Sequence, residues 1–410
     1  MREKFIIFLR VSAWEFMMNN YQEALKALRN QIDQVDREMI PLFDRRMALA
    51  AEIANVKSKG NIAVTDEFRQ QEVLAAAVAN SDGTHDAEVS AFIRTLISLS
   101  KIRQSRDLQL SDPVDFPLPD ETLATKMNPS GSFDKTGDLS VSFQGVPGAW
   151  GECAASELFP NAARVEQESF EDVFLAVKSG RTDIGVLPIE NSQTGAIGEV
   201  YDLLRRHSCY IVGQVWVMVA HCLLACKGTS ISDVREVYSH AEGFNQCRRF
   251  LKDKHWDLTA CRNTAYAAQM VAGKKEFRIA AIGSRQAAAV HGLDVLVPDI
   301  ADDQNNKTRF IAIAAEPVYD EASNTTSITF STMHKSGALC AVLENFTLAS
   351  INLSRIESRP VSAEKYRFFV DLQANLFSEN TQDALRRAAA HCDYFEILGC
   401  YANLYFDENH

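Results

Sequence analysis

The sequence predicts a multidomain protein: an all-α helical unit that forms an intertwined dimer, then a two-lobed α/β unit, then a small α+β unit. Three observations predict it. Stepping from Leu25 to Val56 in alternating threes and fours meets nine apolar residues in ten positions, the rhythm of a long helix with one packing face. From Leu139 to about Ala315 strand-like and helix-like segments alternate, which means a sheet covered by helices. After Thr325 the order becomes βαββαβ, the ferredoxin-like arrangement. A length of 410 residues suits two or three domains at roughly 150 residues each, and 46% hydrophobic with 23% charged residues is ordinary globular composition.

Residues 1–19 read as a frayed extension. "MREKFIIFLRVSAWEF" starts basic, but Arg10 breaks its apolar run after five residues and no small-residue cleavage site follows. No run approaches the roughly 18 apolar residues of a membrane span. Residues 20–106 read as helix throughout. The first helix, from about Tyr21 to Lys59, would be about 58 Å long, too long for a self-contained unit of this size. A second starts after Thr65, whose hydroxyl can cap it, and a third runs from about Asp86 to Ser105. Three helices with one so long cannot wrap each other, so a homodimer or higher homo-oligomer is expected.

The seam holds one cation, Arg46, and Lys57 lies 11 residues on, rotated by roughly 20°, so both share nearly one face. One reading of Arg46 is a register device paired to a carboxylate. The other is a buried cationic pocket for a small dianion. That pocket would be completed by Asp66, Arg69 and Gln70 on the second helix and by Ser100 and Gln104, one turn apart, on the third. Arg29 is rotated about 100° from Arg46 and suits the partner's site. The pocket has no obvious nucleophile and no poised acid or base.

Residues 107–138, with Pro113, Pro117, Pro119 and Pro129 and little periodicity, are a linker. In the α/β unit, 139–317, "LSVSFQG" and "DIGVLPIEN" are strands around the helix "SFEDVFLAVKSG", which Ser169 caps and Gly180 stops. The rhythm continues to "RIAAIGS", and a parallel sheet is expected. The stretch "CYIVGQVWVMVAHCLLAC" can carry the chain between two lobes. Polar clusters follow the strands: "PIENSQTGAI", "YSH" with "FNQC", "IGS" and "NNKTRF". Strand ends and the helix starts after them line ligand crevices and favour anions.

Several classes are disfavoured. A net charge of −12 speaks against a general nucleic-acid binder. Glycines at 145, 148 and 151 do not match GxGxxG. Nine cysteines, all after residue 150 and without a CxxC pair, speak for a reducing cytoplasm. "HCLLAC", His221 to Cys226, has no second ligand pair and reads as buried structure, not a metal site.

The helical array Arg29, Arg46, Lys57, Asp66, Arg69, Ser100 and Gln104 resembles the all-helical class of chorismate mutase. The resemblance implies that arginines bind the two carboxylates of chorismate, with Arg29 from the other subunit, while Lys57 and Gln104 meet the ether oxygen. That class generally has Glu where this chain has Gln70. "LPIENSQTGAIGEVYDLL", "VYSH…FNQC" and "KTRF" resemble prephenate dehydratases, whose fold is periplasmic-binding-protein-like. This implies Thr308 as principal catalytic residue, with Asn191, Ser239 and Gln246 in the site. Arg309 beside it is either a carboxylate ligand or a strand-end surface charge. The unit at 325–405 resembles an ACT domain, implying a phenylalanine site at Gly337, Ala338 and Leu339 of "GALC" and at Glu357, Ser358 and Arg359 of "ESRP". Cys340 replaces the usual valine. Together these resemble the bifunctional chorismate mutase/prephenate dehydratase family. That implies conversion of chorismate to prephenate and on to phenylpyruvate, inhibition by L-phenylalanine, and no metal or organic cofactor. The rivals are an amino-acid sensor without catalysis and a chain with the dehydratase alone.

Overall fold

Nothing between Arg2 and Gly60 breaks a helix except Pro41, and the first helix, α1 (Arg2–Gly60), runs through all 59 residues. It therefore does not begin at Tyr21. The segment taken as a frayed extension has no glycine or proline and continues the helix instead. The computed structural model describes residues 2–60, 67–107, 139–318, 323–362 and 365–402, with the side chains of 2–20, 67, 101, 102 and 105–107 excepted. Thr65, Asp66 and the expected linker beyond Asp107 lie outside the described residues. The chain divides into two compact units, Met1–Asp115 and Phe116–His410.

In the first unit α1 is followed by α2 (Glu67–Ala79) and α3 (Asp86–Asp107). Helix α3 lies against α1 and against α2. Ala50 and Ala54 are the only buried hydrophobic residues among the described part of α1, and small side chains let helices approach closely. The rest of its apolar stripe is open: Ile32 is 59% exposed, Val35 54% and Leu42 66%. A single copy of the helix thus leaves its own packing face uncovered.

The second unit starts with β1 (Ser140–Gln144), α4 (Trp150–Leu158), β2 (Ala163–Gln167), α5 (Phe170–Lys178) and β3 (Ile184–Asn191). Ser169 caps α5 in a reciprocal capping box with Asp172. Next come β4 (Gly195–Ala196), α6 (Gly198–His207) and β5 (Tyr210–Met218). The chain then crosses to a second lobe: β6 (Cys222–Ala225), β7 (Glu236–Ser239), α7 (Ala241–Asn245), α8 (Arg248–Leu251), β8 (Asp257–Ala260), α9 (Thr264–Lys274), β9 (Ile279–Gly283), α10 (Arg285–His291) and β10 (Asp294–Val297). It returns through β11 (Lys307–Ala314). The first sheet has the order β2-β1-β3-β11-β5 with β4 on β3, and the second the order β10-β6-β9-β7-β8.

Both sheets are mixed, which corrects the parallel expectation. Strands β1, β2 and β3 are parallel, as are β7, β8 and β9. The strand that returns from the second lobe, β11, enters between β3 and β5 antiparallel to both, and β6 runs antiparallel to β9 and β10. A right-handed helical crossover fixes parallel direction only within one lobe. Strands that arrive from, or leave for, the other lobe are free of that constraint.

The chain ends in β12 (Thr325–Ser331), α11 (Ala338–Leu348), β13 (Leu353–Ser362), β14 (Lys365–Leu372), α12 (Glu379–Ala389) and β15 (Tyr394–Tyr401). The antiparallel order β13-β14-β12-β15 is the ferredoxin-like one. Its back is not free. Phe369, Leu398 and Tyr401 share one core with Ile211, Ile311 and Tyr201 of the first lobe. Strand β15 comes so near β5 that a Cβ on Gly399 would lie 1.9 Å from the Ile211 carbonyl oxygen.

Candidate active sites

In the helical unit the seam cation turns toward α3. Arg46 Nη1 donates to the Leu96 carbonyl at 2.6 Å and to the Ser100 hydroxyl oxygen. Ser100 and Gln104 are both 8% exposed, and the Gln104 Oε1 atom is buried without a hydrogen-bond partner among the described residues. Buried amide groups are seldom left unpaired unless a ligand or water meets them. Burial pulls the Arg46 pKa below the ordinary arginine value, though a guanidinium stays charged at neutral pH. Arg46, Ser100 and Gln104 therefore form one cluster. Lys57 is half-buried on the same helix, as is Gln70 on α2. Arg69 is exposed and pairs with Glu72 of its own helix at 2.9 Å. Arg29 is exposed about 26 Å along α1 from Arg46, so one copy cannot bring both to one ligand.

In the α/β unit, strand pairing sets Thr308 opposite Asn191. Asn191 Nδ2 donates to Thr308 Oγ1 at 2.9 Å and to Asn306 Oδ1 at 2.9 Å. The other end of the amide accepts from the backbone N–H groups of Gln193 and Thr194, at 3.0 and 3.1 Å. With its direction so fixed, Asn191 fills a lone pair of Thr308 and leaves the threonine's own hydrogen to donate elsewhere.

Thr308 and Phe310, two apart on β11 and so on one face, line a cavity of about 240 Å³. Its wall also holds Gln144 at the end of β1, Trp150 and Gly151 at the start of α4, and Asn263 to Ala265 at the start of α9. Among the described residues no lysine or arginine lines it. Two helix amino ends meet there instead, one from each lobe, and a helix amino end carries partial positive charge. The turn before α4 is held to the second lobe: Ser284 Oγ donates to the Gly148 carbonyl at 3.1 Å, and a Cβ on Gly148 would lie 2.6 Å from Ala287 Cα.

Ser239 and Gln246 do not line this cavity. Ser239 is fully buried, its hydroxyl donating to the Ile282 carbonyl at 3.2 Å beneath Gly243, where a Cβ would come within 2.5 Å of it. Gln246, at the C-terminal end of α7, is half-buried and its Oε1 lies 2.8 Å from His221 Nε2. Arg309 requires a correction on both of its readings. It is neither exposed nor in the cavity, because strand alternation turns it away from the Thr308 face. It is 6% exposed and meets Asp371 at 2.7 Å, Gln214 at 3.0 Å and Glu190 at 3.4 Å. Arg355 of β13 binds the same Glu190 at 2.9 Å.

In the C-terminal unit Gly337 takes φ +80 to start α11, and Ala338 and Leu339 line a cavity of about 160 Å³ with Thr332, His334, Lys335 and Tyr366. Glu357, Ser358 and Arg359 sit elsewhere, on the edge strand β13. Arg359 packs on Gly198 at the start of α6, its Nη2 3.8 Å from Asp202 one turn further along that helix.

Sequence reasoning missed Gln144, Trp150, Asn263 and Thr264. A signal existed for the last two: Asn263 caps α9 by accepting from the Tyr266 N–H at 2.7 Å, a pattern readable as Asn before an apolar helical run.

Comparison with known proteins agrees with the two-part arrangement. Residues 28–105 match the family described as Chorismate mutase type II, and residues 141–318 match Prephenate dehydratase. A bifunctional chorismate mutase/prephenate dehydratase of Escherichia coli K12 is 31% identical over 391 residues, 93% of this chain and 96% of that one. An arogenate dehydratase/prephenate dehydratase of Arabidopsis thaliana is 39% identical over 281 residues, 64% and 72% of the two chains. A prephenate dehydratase of Arthrobacter aurescens, solved in complex with L-Phe, superposes with a TM-score of 0.60 at 27% identity, covering 65% of this chain and 90% of that one.

Proposed function

Since the chain belongs to the bifunctional chorismate mutase/prephenate dehydratase family, we propose which of its residues carry the two reactions and how. The enzyme rearranges chorismate to prephenate, then converts prephenate to phenylpyruvate. In the first reaction an ether C–O bond breaks as a C–C bond forms, with no proton transferred. Arg46, ordered by Ser100, holds a carboxylate, while Lys57 and Gln104 meet the ether oxygen as its negative charge grows. Arg69 and Gln70 approach from α2, and Arg29 comes from a second copy. The open apolar stripe of α1 supports that dimer, because a face with Ile32, Val35 and Leu42 this exposed calls for a cover.

In the second reaction the ring carboxylate leaves as CO₂, its bonding electrons enter the ring, and the ring hydroxyl departs, taking a proton to become water. The Asn191–Thr308 hydrogen bond carries this assignment. It aims the threonine's hydrogen at the departing oxygen, while Phe310 gives the ring an apolar wall. The amino ends of α4 and α9 take the carboxylates in place of arginines. The family resemblance also assigns Ser239 and Gln246 to this reaction, although neither lines the cavity.

The C-terminal unit serves as an ACT domain that binds L-phenylalanine beside Gly337, Ala338 and Leu339. Arg359 of β13 rests on Gly198, next to Ile197 of the dehydratase cavity wall, which supports a route from amino acid to catalysis. Domain limits near 20–106, 139–317 and 325–405 and a cytoplasmic place complete the reading, and no helix among the described residues is long and apolar enough to cross a membrane. The test is a coupled assay: with chorismate alone, phenylpyruvate should form and L-phenylalanine should slow it. Absence of phenylpyruvate would instead leave a sensor without catalysis.

A further inference from the structure

His221 immediately precedes β6 at the first crossing between the lobes, and its carbonyl accepts from the Ile300 N–H of the return crossing at 2.8 Å. The residue is 2% exposed. Nε2 lies 2.8 Å from Gln246 Oε1, whereas Nδ1 is buried with no hydrogen-bond partner among the described residues. The ring edge also meets Trp150, with centroids 6.3 Å apart at 69°, so His221 stands behind a residue of the dehydratase cavity wall.

We propose that His221 is a positioning residue for the dehydratase reaction: its Nε2–H grips the Gln246 carbonyl and so presents that amide's NH₂ group to the substrate. The proposal rests on the reading of Gln246 as a substrate ligand. Burial draws the His221 pKa below the ordinary histidine value, so the ring is neutral and carries one hydrogen. Placing it on Nε2 satisfies the contact with Gln246 and leaves Nδ1 only an unused lone pair. The opposite tautomer would strand a buried N–H, the rarer and worse fault. The Gln246 backbone is pinned as well, its carbonyl accepting from the Asp302 N–H at 2.7 Å. Beyond the bond of its backbone N–H within α7, Gln246 is thus tied by the two crossing segments, and its NH₂ group makes no hydrogen bond of its own among the described residues. An aliphatic side chain would fill the His221 site without an orphaned nitrogen. Packing alone does not account for a histidine there.

The experiment uses the full-length enzyme and the variants His221→Leu, His221→Gln, Gln246→Ala and His221→Leu/Gln246→Ala. Dehydratase kcat and KM are read with prephenate, mutase activity of the same chains serves as the folding control, and melting is followed in parallel. Leucine at 221 should lower dehydratase kcat/KM about 30-fold, an orienting effect, without lowering melting temperature or mutase activity. Glutamine, whose amide can still donate, should recover activity to within about threefold of wild type, and in the Gln246→Ala background the leucine should cost less than about twofold. Effects of the two single substitutions that multiply, or a leucine variant that loses stability in step with activity, would overturn the proposal. Full dehydratase activity in Gln246→Ala would overturn the site reading itself, which the single His221 variants then distinguish: any loss they show would be packing.

Discussion

Replacing Asp371 by alanine leaves the Arg309 guanidinium buried beside a missing partner. The two side chains are 7% and 9% exposed and 2.7 Å apart, and Asp371 also accepts from the Ser327 hydroxyl at 2.5 Å. Removing one member of such a pair costs about 3–5 kcal/mol, most of it the desolvated charge left behind. Glu190 remains 3.4 Å from Arg309, but Arg355 already claims it at 2.9 Å, so relief is partial and the lower end, about 3 kcal/mol, is expected. At roughly 2–4 °C per kcal/mol for a unit of this size, melting should fall by about 6–12 °C. Fluorescence reports it, since three of the four tryptophans, Trp150, Trp216 and Trp256, belong to this unit. Dehydratase activity should fall too, because Arg309 and Glu190 are chain neighbours of Thr308 and Asn191. The double variant Arg309→Met/Asp371→Leu removes both charges and should return to within about 1 kcal/mol of wild type. A single Asp371→Ala variant that melts within about 2 °C of wild type would refute the reasoning, because the pair would then carry no uncompensated charge.

Three further outcomes are expected. Val35→Glu puts a charge on the open stripe of α1 and should weaken self-association at least tenfold, since burying a valine contributes about 1.5 kcal/mol or more; sedimentation velocity should show monomer with mutase lost and dehydratase kept. Arg46→Met should lower mutase kcat/KM by about 100-fold or more through loss of a preorganised cation, with dehydratase as the unchanged reference on the same chain. Gly148→Ala forces a Cβ to 2.6 Å from Ala287 Cα at a φ of +89, so the turn before α4 must shift at a cost of about 1–3 kcal/mol, read as lower melting and raised KM for prephenate.

The parts of this molecule legible in its sequence are those decided locally. The seam of α1, the N-cap at Ser169 and the βαββαβ order are written in short-range spacing, and periodicity puts Ser100 and Gln104 on one face of α3, whereas the meeting of Arg46 with Ser100 depends on how α3 packs on α1. Arg309 shows where that reading stops. Its neighbours in the chain suggest a strand end, whereas its fate is decided by Asp371, 62 residues later, once the ferredoxin-like unit packs on β11 and β5. Strand direction failed for a related reason: the pattern marks β11 as a strand, yet the return from the second lobe sets its antiparallel sense. The polar cluster around Ser239 was visible, but its burial under Gly243 depends on how tightly α7 closes over β7. His221 was read as buried structure, and its burial is so; its contact with Gln246, 25 residues on, needs the two crossings side by side.

The central claim is that two separate sites on one chain act in sequence, the second through Thr308. Supplying chorismate alone to the Thr308→Ala enzyme tests it most directly, with prephenate and phenylpyruvate followed together. Prephenate should form at the wild-type rate and accumulate, while phenylpyruvate formation falls about 100-fold, the scale expected for losing a hydrogen-bond donor aimed at the leaving oxygen. Undiminished phenylpyruvate, or an equal fall in both products, would contradict the account.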